Sequence, residues 1–252
     1  MTTSIRPLHP SAGEARRRRR RFFGMTFAAA GLGAILGFTL PGATFAAEGD
    51  PFPTITIQVY NYSQASPALL TRAEREAGRI LGEAGLRTVW LECLVGPSTI
   101  TPKGRCQKPL EATDLRLRVL SAAIENRFQP TVFGFTIHPA FASVYYEHAL
   151  RRAKSEHAES QTPTILGGVI AHELGHLLLG TNEHSRTGIM QPRWYPDQIL
   201  QLMKGILLFT SEQSKLMREQ ARTRTRLQSE NLDPGLIQAS FRRMTDRSQG
   251  GR

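Results

Sequence analysis

The sequence predicts an α+β fold in which helices pack against a mixed β-sheet. Apolar and polar residues alternate over residues 54–60, which indicates a strand. An amphipathic helix pattern over 67–85 and a second strand pattern over 86–92 follow it. Further short strand patterns precede a long apolar segment that ends at Gly180. This order of elements is typical of a mixed sheet covered by helices.

The elements of the first half follow from local patterns. The first helix should end at Gly85, because glycine accepts the left-handed conformation found at helix ends. A loop rich in proline and glycine is expected over 94–112, and short strands are expected over 115–120, 133–137 and 142–146. The predicted buried face of the first helix comprises Leu69, Leu70, Ala73, Ala77, Ile80 and Leu81.

Two more helices are predicted near the C-terminus. One covers residues 196–203. The other begins at Thr210, whose hydroxyl and the side chain of Gln213 form a capping-box pair. We expect this last helix to turn Leu216 and Met217 towards the core.

The apolar segment before Gly180 is the most informative part of the chain. Thr162 offers a capping hydroxyl, and Pro163 suits the first helical position. The segment contains the motif His172-Glu173-Leu174-Gly175-His176. Histidines four residues apart on a helix lie on one face, so both imidazoles can reach a single Zn²⁺ ion. Glu173 points to a neighbouring sector, where it can act as a base towards a zinc-activated water.

The alternative is that His172 and His176 are structural residues of a core helix. That interpretation must also place Glu173 on an apolar element, although no lysine or arginine occurs between residues 155 and 185. Burying an unpaired carboxylate is costly. A zinc site explains the three residues better.

The loop after the helix completes a resemblance to the metzincin zinc metallopeptidases. Gly180 is followed by His184, by a Thr187-Gly188 turn and by Met190. The resemblance implies a zincin-like fold in which the active-site helix is followed by a loop resembling a Met-turn. It also implies that His172, His176 and His184 bind zinc, that Glu173 is the general base and that Met190 is the turn methionine.

The spacing departs from the usual metzincin pattern. Gly180 and His184 lie four and eight residues after His176, whereas metzincins usually have glycine after three residues and histidine after six. Glu183, or Glu212 in the manner of gluzincins, therefore stays open as an alternative third ligand.

The wider sequence resembles a group of uncharacterised exported bacterial proteins that are related to metalloproteases and carry an HExGHxxxGxxxHSxxGIM motif. The resemblance covers roughly residues 54–226.

In metzincins an antiparallel edge strand beside the cleft holds the substrate in extended form. Here residues 143–146 are the expected counterpart, because an exposed edge offers backbone groups to a peptide. Tyr195 could stabilise the oxyanion, as a tyrosine does in some metzincins, but a surface tyrosine beside Trp194 is the favoured interpretation.

The pattern of the N-terminal segment predicts an export signal. Arg16–Arg21 precede an uncharged stretch that runs to Ala47. This pattern predicts a signal peptide over 1–46, followed by a folded domain over 47–227 and a polar tail over 228–252. An uncleaved membrane anchor is the alternative. Export also favours a disulfide between the two cysteines, Cys93 and Cys106.

The overall charge does not indicate a nucleic-acid partner. The formal net charge is +11, but seven arginines lie before residue 47, so the rest of the chain is only mildly basic. No basic stripe with interleaved aromatic residues is visible. The sequence therefore predicts an exported zinc metalloendopeptidase that acts on a peptide or protein substrate. A non-catalytic zinc-binding domain, or a membrane-anchored domain for protein interaction, is the alternative.

Overall fold

The computed structural model describes residues 52–93, 104–121 and 132–230. The predicted signal segment, most of the predicted C-terminal tail and the first part of the loop over 94–112 lie outside these residues. Within the described ranges, no helix is both long and apolar enough to cross a membrane.

The predicted fold class is confirmed. The first strand is β1 (Thr54–Tyr62), followed by helix α1 (Pro67–Glu83) and strand β2 (Arg87–Cys93). Three more strands, β3 (Asp114–Leu120), β4 (Gly134–Ile137) and β5 (Phe141–Tyr145), complete a five-stranded sheet with the order β2-β1-β3-β5-β4.

The sheet is mixed because only its last pair runs antiparallel. Strands β2, β1, β3 and β5 pair in parallel, whereas β4 pairs antiparallel with β5. The prediction that residues 143–146 form the edge was wrong. These residues belong mainly to β5, which lies between β3 and β4, so β4 is the strand at this edge. The short turn after Ile137 brings β5 back between β4 and the parallel strands.

Four more helices follow the sheet strands. They are α2 (Tyr146–Ser155), α3 (Thr162–Leu179), α4 (Pro196–Met203) and α5 (Ser211–Ser229). Helix α2 was not predicted, and four of its ten residues are charged. Its mostly small buried side chains, among them Ala149 and Ala153, are a weak apolar signal.

The core lies between one face of the sheet and helices α1 and α3. Ile57 of β1, Leu117 of β3 and Val144 of β5 are fully buried on that face. Helices α1 and α3 approach each other closely at Gly167. A Cβ atom at this position would lie 2.6 Å from the carbonyl oxygen of Ala73. The glycine therefore sets how near the motif-bearing helix lies to α1.

The ends of the helices are mostly as predicted. Ser66 caps α1, and the capping box between Thr210 and Gln213 is present at the start of α5. Thr162 was wrongly predicted as a cap. It is the first helical residue of α3, and its hydroxyl donates to the carbonyl of Glu159. Leu216 was also wrongly placed, since it is 49% exposed while Met217 is buried.

The two cysteines form the predicted disulfide. Cys93 ends β2, and Cys106 lies in a short 3₁₀ helix over Gly104–Gln107. Their Cα atoms are 5.8 Å apart. The bridge therefore anchors the segment before β3 to the end of the outermost parallel strand.

Candidate metal centre

Helix α3 presents two histidines side by side. His172 and His176 lie one helical turn apart, and their Nε2 atoms are 3.2 Å from each other. The helix ends where predicted, at Gly180, which has a φ of +71°. Because this residue turns the chain in a left-handed conformation, the following loop returns over the histidine-bearing face.

His184 lies in that returning loop and joins the pair. One potential ligand atom from each of the three histidines lies within 4.8 Å of the others. The imidazole centroid of His184 is 4.8 Å from that of His176 and 5.4 Å from that of His172. Neither Glu183 nor Glu212 belongs to this cluster.

Backbone carbonyls fix the orientation of the two helix histidines. Nδ1 of His172 donates to the carbonyl of Ile189 at 2.8 Å, and Nδ1 of His176 donates to the carbonyl of Thr181 at 2.9 Å. The protons therefore sit on Nδ1, and the two Nε2 atoms carry lone pairs. Burial lowers the pKa of His172 to about 3 and that of His176 to about 4, so both rings are neutral at physiological pH.

The two Nε2 atoms are 3.2 Å apart, and their lone pairs repel each other unless a cation lies between the two nitrogens. Two imidazole nitrogens bound tetrahedrally to one zinc ion would be about 3.3 Å apart. The distance between the two Nε2 atoms matches a metal-binding arrangement. So do the neutral rings and the hydrogen bonds from each Nδ1 to a backbone carbonyl. The donor set of this chain therefore fits Zn²⁺, and three protein ligands would leave a fourth position for water or substrate.

Glu173 is buried beside the edge strand. It is 6% exposed, and burial raises its pKa to about 8. A Cβ atom at Gly134 of β4 would lie 2.8 Å from both Cγ and Oε1 of Glu173. The carboxyl group therefore packs against the backbone of Gly134, where any side chain would collide with it. A nearby cation would favour the ionised form of Glu173.

Met190, which the metzincin resemblance identifies as the turn methionine, packs against helix α3. Its side chain is fully buried, and a Cβ atom at Gly175 would lie 2.8 Å from its sulfur atom. The neighbouring carbonyl of Ile189 accepts hydrogen bonds from both His172 and Trp194. Met190 therefore packs against helix α3 at Gly175, and the carbonyl of Ile189 orients His172.

The loop that carries His184 is also tied to the edge strand. Asn182 Oδ1 accepts a hydrogen bond from the hydroxyl of Thr136 at 2.9 Å and lies 3.0 Å from Nε2 of His138. We refer to Thr136, His138 and Asn182 as the loop clamp. No sequence pattern predicts it, because Asn182 lies 46 residues from Thr136 and 44 from His138, and the three residues follow no motif.

Tyr195 lies farther out. This residue is 63% exposed and forms the N-terminal cap of α4. Together with His184, it lines an open pocket of about 420 Å³ next to the histidine cluster.

The chain resembles a solved protein structure at low sequence identity. Archaemetzincin from Methanopyrus kandleri resembles this chain with a TM-score of 0.41 and 14% sequence identity, over 66% of this chain and 94% of that one. No protein-family model matches the sequence, and no curated protein matches it either.

Proposed function

We propose that this protein is an exported zinc-dependent metallopeptidase. In this proposal His172, His176 and His184 hold the metal, and Glu173 is the general base. The observation that carries this proposal is that the Nε2 atoms of His172 and His176 are 3.2 Å apart. Both Nδ1 atoms donate hydrogen bonds to backbone carbonyls, so both Nε2 atoms carry lone pairs. A cation accounts for this arrangement, and a purely structural role for the two histidines does not.

Zinc, when bound, would supply a Lewis acid that polarises the scissile carbonyl and brings the pKa of a water molecule close to neutrality. Glu173 would accept a proton from the attacking water and pass it to the leaving amine. A zinc site with only a structural role needs no such base. The buried Glu173 therefore favours catalysis over a non-catalytic zinc domain.

The substrate would bind along β4. This strand lies at the edge of the sheet, Gly134 contacts Glu173, and Thr136 contacts the loop that carries His184. An extended peptide could add to this edge through backbone hydrogen bonds. Its scissile bond would then pass between the carboxyl group and the histidines.

Export is supported by the disulfide between Cys93 and Cys106, because such bonds persist in oxidising compartments. The signal pattern over 1–46 agrees with it. Detection of mature protein in the periplasm or medium, with its N-terminus at residue 47, would test this part.

The central test is metal analysis combined with peptide hydrolysis. We expect one zinc per chain, hydrolysis that a chelator abolishes, and recovery on zinc addition. Glu173→Gln should retain zinc and lose at least about 100-fold in kcat/KM, since it keeps the shape and removes the base. His184→Ala should weaken zinc binding and also abolish hydrolysis.

The outcomes separate the alternatives. Zinc that stays bound in a chain that hydrolyses no peptide from a diverse library would favour the non-catalytic domain. Equal zinc content in the wild type and in the His172→Ala/His176→Ala variant would reject the metal site altogether.

A further inference from the structure

The pocket beside His184 is lined by the two segments that flank the Met190 turn. The first segment contributes His184, Ser185 and Arg186, and the second contributes Gln191, Pro192, Arg193 and Tyr195. Its volume of about 420 Å³ is large enough for an amino-acid side chain. Because His184 lines it, a substrate group held there would be adjacent to the candidate metal centre.

This pocket has an unbalanced positive charge. Two of its lining residues are arginines, Arg186 and Arg193, and none of its lining residues is acidic. In the part of the chain that the structure describes, neither Arg186 nor Arg193 forms an ion pair with a carboxylate. By contrast, Arg79, Arg105 and Arg152 are each paired with a carboxylate.

Two arginines that line one pocket and have no carboxylate partner favour binding of an anion there. Arginine binds carboxylates with a planar fork of N–H donors, which gives geometric selectivity as well as attraction. The exposed phenol of Tyr195 adds a further donor, and Pro192 adds a small apolar wall. A short side chain that ends in a carboxylate matches this combination better than an apolar or basic side chain does.

We infer that this pocket selects a substrate carboxylate next to the scissile bond. This inference rests on the proposed peptidase function and names the substrate class. The carboxylate can come from an Asp or Glu side chain or from the free C-terminus of a peptide, because both present the same group to the two arginines.

The first experiment compares peptides that differ at one position. Zinc-loaded protein is given matched peptides with Glu, Gln or Lys on either side of the cleaved bond, all with amidated C-termini. We expect a preference for Glu over Gln of about fivefold to tenfold in kcat/KM, with Lys least favoured. A parallel set with free C-termini one or two residues beyond the bond distinguishes the terminal carboxylate from the side chain.

The variants then assign the preference to the pocket. Arg186→Met and Arg193→Met keep an unbranched side chain and remove the charge, and each should reduce the Glu-to-Gln ratio about threefold. Arg193→Glu should shift the preference towards Lys. Arg151→Met is the matched control, because Arg151 is exposed on α2 and does not line the pocket, and it should leave the ratio unchanged.

A binding measurement keeps this inference separate from the proposed function. Zinc-loaded Glu173→Gln protein is titrated with fluorescent Glu and Gln peptides, and Kd is read by anisotropy. About fivefold tighter binding of the Glu peptide, lost in the Arg186→Met/Arg193→Met background, supports the pocket even when no hydrolysis occurs. Equal affinity for both peptides, or a preference that survives the double change, overturns it.

Discussion

Gly134 of the edge strand packs directly against the side chain of Glu173. A Cβ atom at position 134 would lie 2.8 Å from Oε1 of that carboxyl group and 2.5 Å from the carbonyl oxygen of Ser143. Both distances are shorter than an ordinary contact. The position of the proposed base is therefore set by the absence of a side chain on the neighbouring strand.

Gly134→Ala should accordingly impair hydrolysis without removing the metal. The added methyl group must displace either Glu173 or strand β4, and a shift of about 1 Å in a catalytic group can cost on the order of 100-fold in rate. Zinc content should stay at the wild-type level. Measurement of kcat/KM together with metal analysis checks this. Gly82→Ala in α1 is the control, since a Cβ atom there meets nothing within 4 Å. Wild-type activity in Gly134→Ala would contradict the assignment.

The loop clamp should hold His184 in place. Asn182→Leu removes the acceptor shared by Thr136 and His138, whereas Asn182→Asp keeps an acceptor for both. We expect zinc to dissociate several times faster from the leucine variant, because the loop that carries the third ligand loses its anchor. The aspartate variant should restore most of the wild-type rate. Dissociation is followed with a chromogenic chelator, and equal rates in all three proteins would argue against the clamp.

Arg224 should be important for stability. It lies on α5, is 2% exposed, and donates to the carbonyls of Ala112, Pro139 and Leu177. Burial lowers its pKa to about 10, so it stays charged at neutral pH. Arg224→Met leaves buried carbonyls without donors and should lower the free energy of unfolding by about 2 to 4 kcal/mol.

Chemical denaturation measures this effect of Arg224→Met. Arg226→Met, at an exposed position two residues along the same helix, should change the free energy of unfolding by no more than about 0.5 kcal/mol. Equal stability of the two variants would contradict the role of Arg224.

Glu74 should make stability fall as the pH rises. Burial, together with the nearby Glu92, raises the pKa of Glu74 from 4.5 to about 7. The folded state therefore holds a proton that the unfolded state releases, and stability is lost between about pH 4.5 and pH 7. Glu74→Gln removes this titration.

The Glu74→Gln variant should match the wild type near pH 4.5 and exceed its unfolding free energy by about 1 to 3 kcal/mol at pH 8. Urea denaturation across this pH range provides the measurement. A constant difference between the two proteins at every pH would contradict the assignment.

The helix and loop of the candidate site could be predicted because their signals are local. The spacing of His172 and His176, and the glycine that ends the helix, depend only on neighbouring residues. The place of β5 inside the sheet could not be predicted in this way. Strand order depends on pairing between distant segments, and a short strand of small and apolar residues suits either an edge or an interior position.

Side-chain contacts across the fold were equally invisible in the sequence. Asn182 contacts Thr136 only because α3 packs beside the sheet edge and its following loop turns back. The two arginines of the pocket lie on either side of the Met190 turn, seven residues apart, and their spacing follows no recognised motif. Such features appear only once the elements have been assembled.

The carbonyl of Ile189 links the indole of Trp194 to the candidate metal centre. It accepts hydrogen bonds from Nδ1 of His172 and from the indole of Trp194, whose ring lies 5.8 Å from that imidazole. The second tryptophan, Trp90, belongs to β2, and its indole N–H donates a hydrogen bond to the hydroxyl of Thr88. Indole emission responds to charge and to quenching by neighbouring rings. Metal binding at the proposed centre should therefore change the intrinsic fluorescence of the unlabelled protein, and Trp90→Phe would isolate the signal of Trp194.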